Sequence, residues 1–295
     1  MPWQAIVFLR VCNYLISPAL QKKLTGLPGR PQRLMAQFGF ATMISVLVFI
    51  AAGGWRAEVP LVTLLLITGM GLINGFAAYA QWRAIDLSLS QTSLFSQADD
   101  LIALVLGITL LGESHYLQPF LTVGVLLCLG GALAYTLSKT NGQRGAMERR
   151  SFFRLLAWVG IYSVIWGVAI FSFRYFALAG VPIVTYALCW YTGALLGSFL
   201  VMFLVSTAER GAQISWASVA RVSPLATLVW GSLMLAYWAN QKAPIVIVQP
   251  IYQVAEMVLP TLVGLYLFKE GRDLSRSHKF LFFVGLCGVA ILFFA

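Results

Sequence analysis

The chain has 295 residues, of which 60% are hydrophobic and only 10% charged, and it carries a formal net charge of +10. Soluble domains are nearer half apolar and a quarter charged, and no soluble fold of this length has interior enough for the excess, so the surplus apolar surface must face lipid. The positive charge does not indicate nucleic acid, because Lys and Arg are confined to short segments between apolar runs, the usual pattern of a cytoplasmic membrane face.

A bilayer-crossing helix needs roughly 17–25 apolar residues, and ten runs qualify in chain order: 3–20, 34–52, 61–82, 92–111, 119–137, 153–177, 183–205, 224–239, 245–268 and 280–294. The runs are continuous rather than alternating, which predicts helices and not barrel strands. The first lacks a basic leader and a small-residue cleavage site, so it reads as a span and not as a cleaved signal. It carries Arg10 with Asn13, Tyr14 and Ser17 on nearby faces. The third holds the GxxxG pair Gly71/Gly75, and the seventh holds Gly193/Gly197; such pairs allow close helix contact, within the fold or between protomers. The fourth carries Asp99 and Asp100, which point about 100° apart on a continuous helix. The sixth sets Trp158, Tyr162, Trp166 and Phe173 on one face, and the seventh adds Tyr186, Trp190 and Tyr191. Most of these aromatics suit an interfacial belt or core packing, but Trp166 lies too deep for a belt. The ninth carries Gln249, Pro250, Tyr252, Gln253 and Glu256, with Pro250 breaking a backbone hydrogen bond one turn earlier. The four cysteines show no CxxC or metal-ligand spacing and read as small hydrophobes.

Sixteen Lys and Arg residues fall in the connections after runs one, three, five, seven and nine, against three on the other side. The positive-inside rule then places both termini outside the cytoplasm. The expected location is a cell membrane of the bacterial inner-membrane kind, crossed many times.

The chain also repeats itself. Aligning Glu113 with Glu270 sets an offset of 157, and the same offset pairs Thr92 with Gln249, Phe95 with Tyr252, Ser96 with Gln253 and Asp99 with Glu256. Spacings of three and four place each set on one helical stripe. Five runs per half is odd, so the second half (146–295) enters the membrane opposite to the first (1–145). That is an inverted repeat, a design in which the solute site lies between the halves. The expected fold is therefore all-α and integral to the membrane, with ten helices in two inverted five-helix repeats.

Two five-helix halves, Gly112-Glu113 closing the fourth run, a glycine-rich fifth run (Gly124, Gly130, Gly131), and Trp166-Gly167 followed by Arg174-Tyr175 together resemble the drug/metabolite transporter superfamily, in its EamA-type ten-helix branch. The chain departs from that pattern at Cys12-Asn13, where Trp-Gly is expected, at Ser93 opposite Pro250, and at Lys269 before Glu270. Its charge bias is also opposite to the termini-inside arrangement usual for that branch. The resemblance implies export of amino acids or related metabolites.

An ionisable group at mid-membrane costs at least about 2.5–3.5 kcal/mol on insertion scales, so it persists when neutral, paired or facing water. Asp99, Asp100 and Glu256 are therefore candidates for proton coupling around a central polar cavity, since burial favours the neutral form of a carboxyl. Arg10 is their candidate partner, pairing with Asp99 or Asp100, or else it binds a substrate carboxylate through its planar fork. Arg10, Asn13, Tyr14, Gln97, Trp166, Tyr191, Tyr252 and Gln253 are the candidate solute contacts. Arg83 and Arg174 lie near helix ends and read as structural, with side chains that snorkel to the interface. No P-loop, HExxH or GxSxG pattern occurs, and no segment is long enough for a nucleotide-binding domain. The chain thus reads as a non-enzymatic secondary transporter without cofactor or metal. Its partners are a small solute and the bilayer, not nucleic acid, and it acts as a monomer or homodimer. A membrane-embedded enzyme using the intramembrane acids, a channel and a structural membrane protein are the alternatives.

Overall fold

The computed structural model describes residues 1–116, 118–143, 149–205, 215–269 and 276–294. Regular structure among them is helical: α1 (Trp3–Thr25), α2 (Arg30–Ala51), α3 (Leu61–Leu87), α4 (Leu89–Phe95), α5 (Ala98–Leu110), α6 (Pro119–Gln143), α7 (Arg149–Leu178), α8 (Ile183–Leu204), α9 (Trp216–Ala220), α10 (Ser223–Lys242), α11 (Ile245–Leu262, extended by a π-helical turn over Val263–Leu267) and α12 (Arg276–Phe294). Among the described residues, eight helical spans are long and apolar enough to cross a membrane, and shorter apolar stretches, Leu121–Gly131 and Phe283–Leu292, lie in α6 and α12. Large hydrophobic side chains such as Leu65, Leu126, Leu200 and Phe283 point outward, as lipid-facing surface requires. This is the architecture of a multi-pass membrane protein. Glu270, Arg144, Arg210, Arg272 and the division at 145/146 lie outside the described residues.

Local chemistry explains where the helices depart from the apolar runs. α2 begins at Arg30, not at residue 34, because Gly29 takes a left-handed φ of 74° and Pro31 sits in the first turn, where its missing N–H costs nothing. The fourth run is not one helix. It starts early, because the Ser88 hydroxyl caps α4 by accepting from the Gln91 amide at 3.3 Å. It then breaks after Phe95. The Gln97 side-chain amide and the Ser96 hydroxyl both donate to the Ser93 carbonyl, the Asp99 amide bonds three residues back to Ser96 O, and the Asp100 amide bonds to Asp99 Oδ1. Side chains thus replace the ladder for one turn. Asp99 and Asp100 consequently occupy the first turn of α5 instead of mid-helix.

The principal packing partners of each half come from the other half. α3 lies against α8 and α7, α2 against α8, α5 against α7 and α11, α1 against α10 and α11, and α6 against α12. The two GxxxG pairs meet within the fold. A Cβ at Gly71 would strike the Trp190 carbonyl, one at Gly75 the backbone of Gly197 and Ser198, one at Gly193 the Thr68 carbonyl, and one at Gly197 the Leu72 carbonyl. α6 and α12 cross antiparallel on small residues: Gly131 meets Gly285 and Leu281, while Gly288 meets Cys128 and Gly124. Gly193→Val therefore drives two branched carbons into backbone that cannot step aside. We expect a loss beyond the usual 1–3 kcal/mol of overpacking, seen as aggregation on detergent extraction. A monodisperse variant of wild-type thermal midpoint would contradict this packing.

Candidate functional site

A cavity of about 160 Å³ lies between the halves. Its walls come from the later parts of α1 and α3, Gln37 and Phe38 of α2, α4, the middle of α7, α8 and α10, and the later part of α11. It therefore reaches from mid-span toward the end at which α1 and α3 finish, where Pro18, Gln21, Gln81 and Pro260 line it. Gln21 Nε2 donates to Gln81 Oε1 there at 3.1 Å. Pro18 and Pro260 each lack the amide that would bond four residues back, to Tyr14 and Glu256. Both helices thus carry an interrupted ladder beside cavity-lining residues.

Arg10 and Glu256 are the charged side chains lining the cavity among the described residues. The Arg10 guanidinium stands 3.7 Å from Glu256 Oε1. It is backed by the Tyr252 ring face at 3.9 Å and the Tyr14 ring at 5.4 Å, and its Nε donates to Ser232 Oγ at 3.4 Å. Cation–π contact strengthens as water is excluded, and Arg10 is only 4% exposed. Asp99 and Asp100 sit just behind this layer, fully buried and facing Glu256 electrostatically. Gln249 Nε2 donates to Asp100 Oδ1; Asp99 Oδ1 accepts the Asp100 amide at 2.8 Å, and Tyr162 faces Asp99. The cluster thus has three carboxyl groups and one guanidinium.

Opposite Arg10 the wall is aromatic. Trp166 stacks along Tyr162 with ring centroids 6.1 Å apart and meets Trp190 and Phe173 edge-on at 6.1 and 6.0 Å. Gly167 keeps this helix close to α5, since a Cβ there would press on Ile102 and the Asp99 carbonyl. Gln37 Oε1 is buried without a hydrogen-bond partner, the buried Tyr14 hydroxyl stands beside Glu256, and both residues line the cavity with Asn74.

Of the residues expected to touch solute, Arg10, Tyr14, Trp166 and Tyr191 line the cavity, and so does Glu256, one of the three acids expected to couple protons. Tyr191 gives its hydroxyl proton to Val229 O at 2.9 Å. Asn13 donates to Leu228 O, tying α1 to α10, and Gln97 donates to Ser93 O at the helix break. Tyr252 stands behind Arg10, and Gln253 is buried. Arg10 pairs with Glu256, not with Asp99 or Asp100. Gln37, Asn74 and Ser232 escaped the sequence reading; each is an uncharged polar residue inside an apolar run, with no polar stripe to mark it.

A second buried ion pair stands outside the cavity lining. Arg174 Nε meets Glu113 Oε1 at 2.6 Å, with both side chains buried. Arg174 Nη1 donates to Asn240 O at 2.5 Å, while Glu113 Oε2 accepts the amides of Ile245 and Val246 at 2.6 and 3.4 Å. Glu113 therefore caps the first turn of α11, and one pair ties the ends of α5, α7, α10 and α11. Arg174 does not snorkel, because this carboxylate is its partner. Arg83 lies over the Trp158 ring at 5.5 Å.

No family model matches the chain, and no curated protein matches it. Solved structures do: one crystal structure of a protein superposes over 98% of this chain and 96% of its own length, with a TM-score of 0.71 and 19% sequence identity. That likeness concerns the fold alone.

Proposed function

We propose that the chain is a secondary transporter of the EamA type in the drug/metabolite transporter superfamily, with ten membrane spans in two inverted halves, moving a small zwitterionic solute such as an amino acid by alternating access. The observation that carries this reading is a cavity between the halves in which a single guanidinium, loosely held by one carboxylate, faces an aromatic wall. Arg10 takes the solute carboxylate, Glu256 and Gln37 Oε1 take its ammonium, and Trp166 with Tyr162 takes an apolar side chain. The inverted repeat is supported by the α6–α12 crossing. Shifting both contacts of Gly131, with Gly285 and Leu281, by the offset of 157 generates the contacts of Gly288 with Cys128 and Gly124. Antiparallel helices related in this way share a two-fold axis in the membrane plane.

The cavity reaches toward the positively charged ends of the helices, so in this conformation it opens to the cytoplasm and the Glu113–Arg174 pair seals the outer side. Three carboxyl groups beside one guanidinium cannot all stay ionised without uncompensated buried charge, which costs several kcal/mol per ion. Proton gain and loss in this cluster is the basis for coupling to a proton gradient. Purified protein in liposomes should take up labelled amino acid saturably and in response to an imposed gradient; linear, non-saturating flux would favour a channel. Trp166→Ala should weaken binding of solutes with large apolar side chains about tenfold and leave glycine unaffected, since an aromatic contact is worth about 0.5–1.5 kcal/mol beyond area. Equal loss for both solutes would remove Trp166 from the specificity wall.

A further inference from the structure

Away from the cavity, the end of the molecule where α2 begins holds a cation that no acid pairs with among the described residues. Arg33, in the first turns of α2, is 5% exposed, yet its Nε and Nη1 have no hydrogen-bond partner. Its charged neighbour is another cation, Arg221, which is exposed and immediately precedes Val222, the N-cap of α10. Asp86, at the end of α3, is already used by another cation, accepting from Arg30 at 2.5 Å. Among the described residues no acid pairs with Arg33. α2 packs on both α9 and α10, so two guanidinium groups and the positive ends of two long helices converge on one spot.

Covering a guanidinium without a partner, beside a like charge, is unfavourable, and an anion between the two removes both penalties. We infer that Arg33 and Arg221 form a binding site for a phosphate-bearing anion at this end of the α2–α10 contact. Arginine forks match phosphate oxygens in pairs. A phospholipid headgroup is the source that the surroundings favour. Trp216, on the short helix that precedes Arg221, is 88% exposed, as befits a residue at headgroup depth. Such a ligand clamps α2 to α10 and is independent of any solute in the cavity.

The test uses the full chain, purified in nonionic detergent and stripped of lipid. Thermal midpoints are measured with phosphatidylglycerol, with phosphatidylcholine and with inorganic phosphate. At a hundredfold excess over its Kd, phosphatidylglycerol should raise the midpoint by about 5 °C, with phosphatidylcholine giving no specific rise. A matching rise with inorganic phosphate would identify the ligand as the free ion at the same site. Arg221→Gln, at an exposed position that folding tolerates, should abolish the response, and Arg33→Gln should do so too, with Arg33→Lys keeping part of it. An equal response in wild type and Arg221→Gln, or no response to any phosphate compound, overturns the proposal.

Discussion

Replacing Arg10 by Met is expected to abolish saturable uptake while the protein remains folded in the membrane. Removing one member of a desolvated, charged contact costs about 2–5 kcal/mol of binding, or roughly 30-fold to more than 1000-fold in affinity at about 1.4 kcal/mol per decade. Arg10→Lys should recover only part, because a point charge cannot replace a fork that also lies on the Tyr252 ring. Arg10→Met also strands Glu256, so some stability is lost as well. The double variant Arg10→Met/Glu256→Gln separates the two effects: it should restore the thermal midpoint but not transport. Recovery of transport together with stability would show that transport needs neither Arg10 nor Glu256. Glu256→Gln and Asp99→Asn alone should each abolish gradient-driven transport. Normal transport by both would end the carboxylate mechanism.

The second large effect concerns the buried Glu113–Arg174 pair. Glu113→Gln and Arg174→Met should each lower stability by about 3–5 kcal/mol, because each leaves a buried charge without its counterion. At about 2–4 °C per kcal/mol for chains of roughly this size, the thermal midpoint in detergent falls by about 10 °C. Glu113→Gln weakens the cap on Ile245 and Val246 as well. The double variant should lose clearly less than the two single losses combined, as expected for residues in direct contact. Single losses within about 0.5 kcal/mol of wild type would mean that water reaches this pair.

Composition and run length were enough to reveal a helical membrane chain, because hydrocarbon tolerates only backbones that satisfy themselves. The close contact of Gly71/Gly75 with a partner helix was likewise readable, since small residues at helical spacing have few other uses in an apolar span. The acids and Arg10 stood out for their cost in lipid. Which acid serves which cation was not readable. Glu113 and Arg174 lie 61 positions apart, and Arg10 lies 246 positions from Glu256. Nothing local distinguishes Glu256 from Asp99 as the partner of Arg10, because the choice depends on how α1, α5 and α11 cross. The break at Ser96 was equally hidden. Ser and Gln are tolerated inside a helix, and they interrupt one only where their side chains win the backbone's own acceptors. The sequence by itself thus determined the helices and their costly charges, through short-range rules of spacing and solvation. Only the tertiary structure decided the pairings and the cavity, because ion pairs form between whatever groups the packing of distant helices brings within a few ångströms.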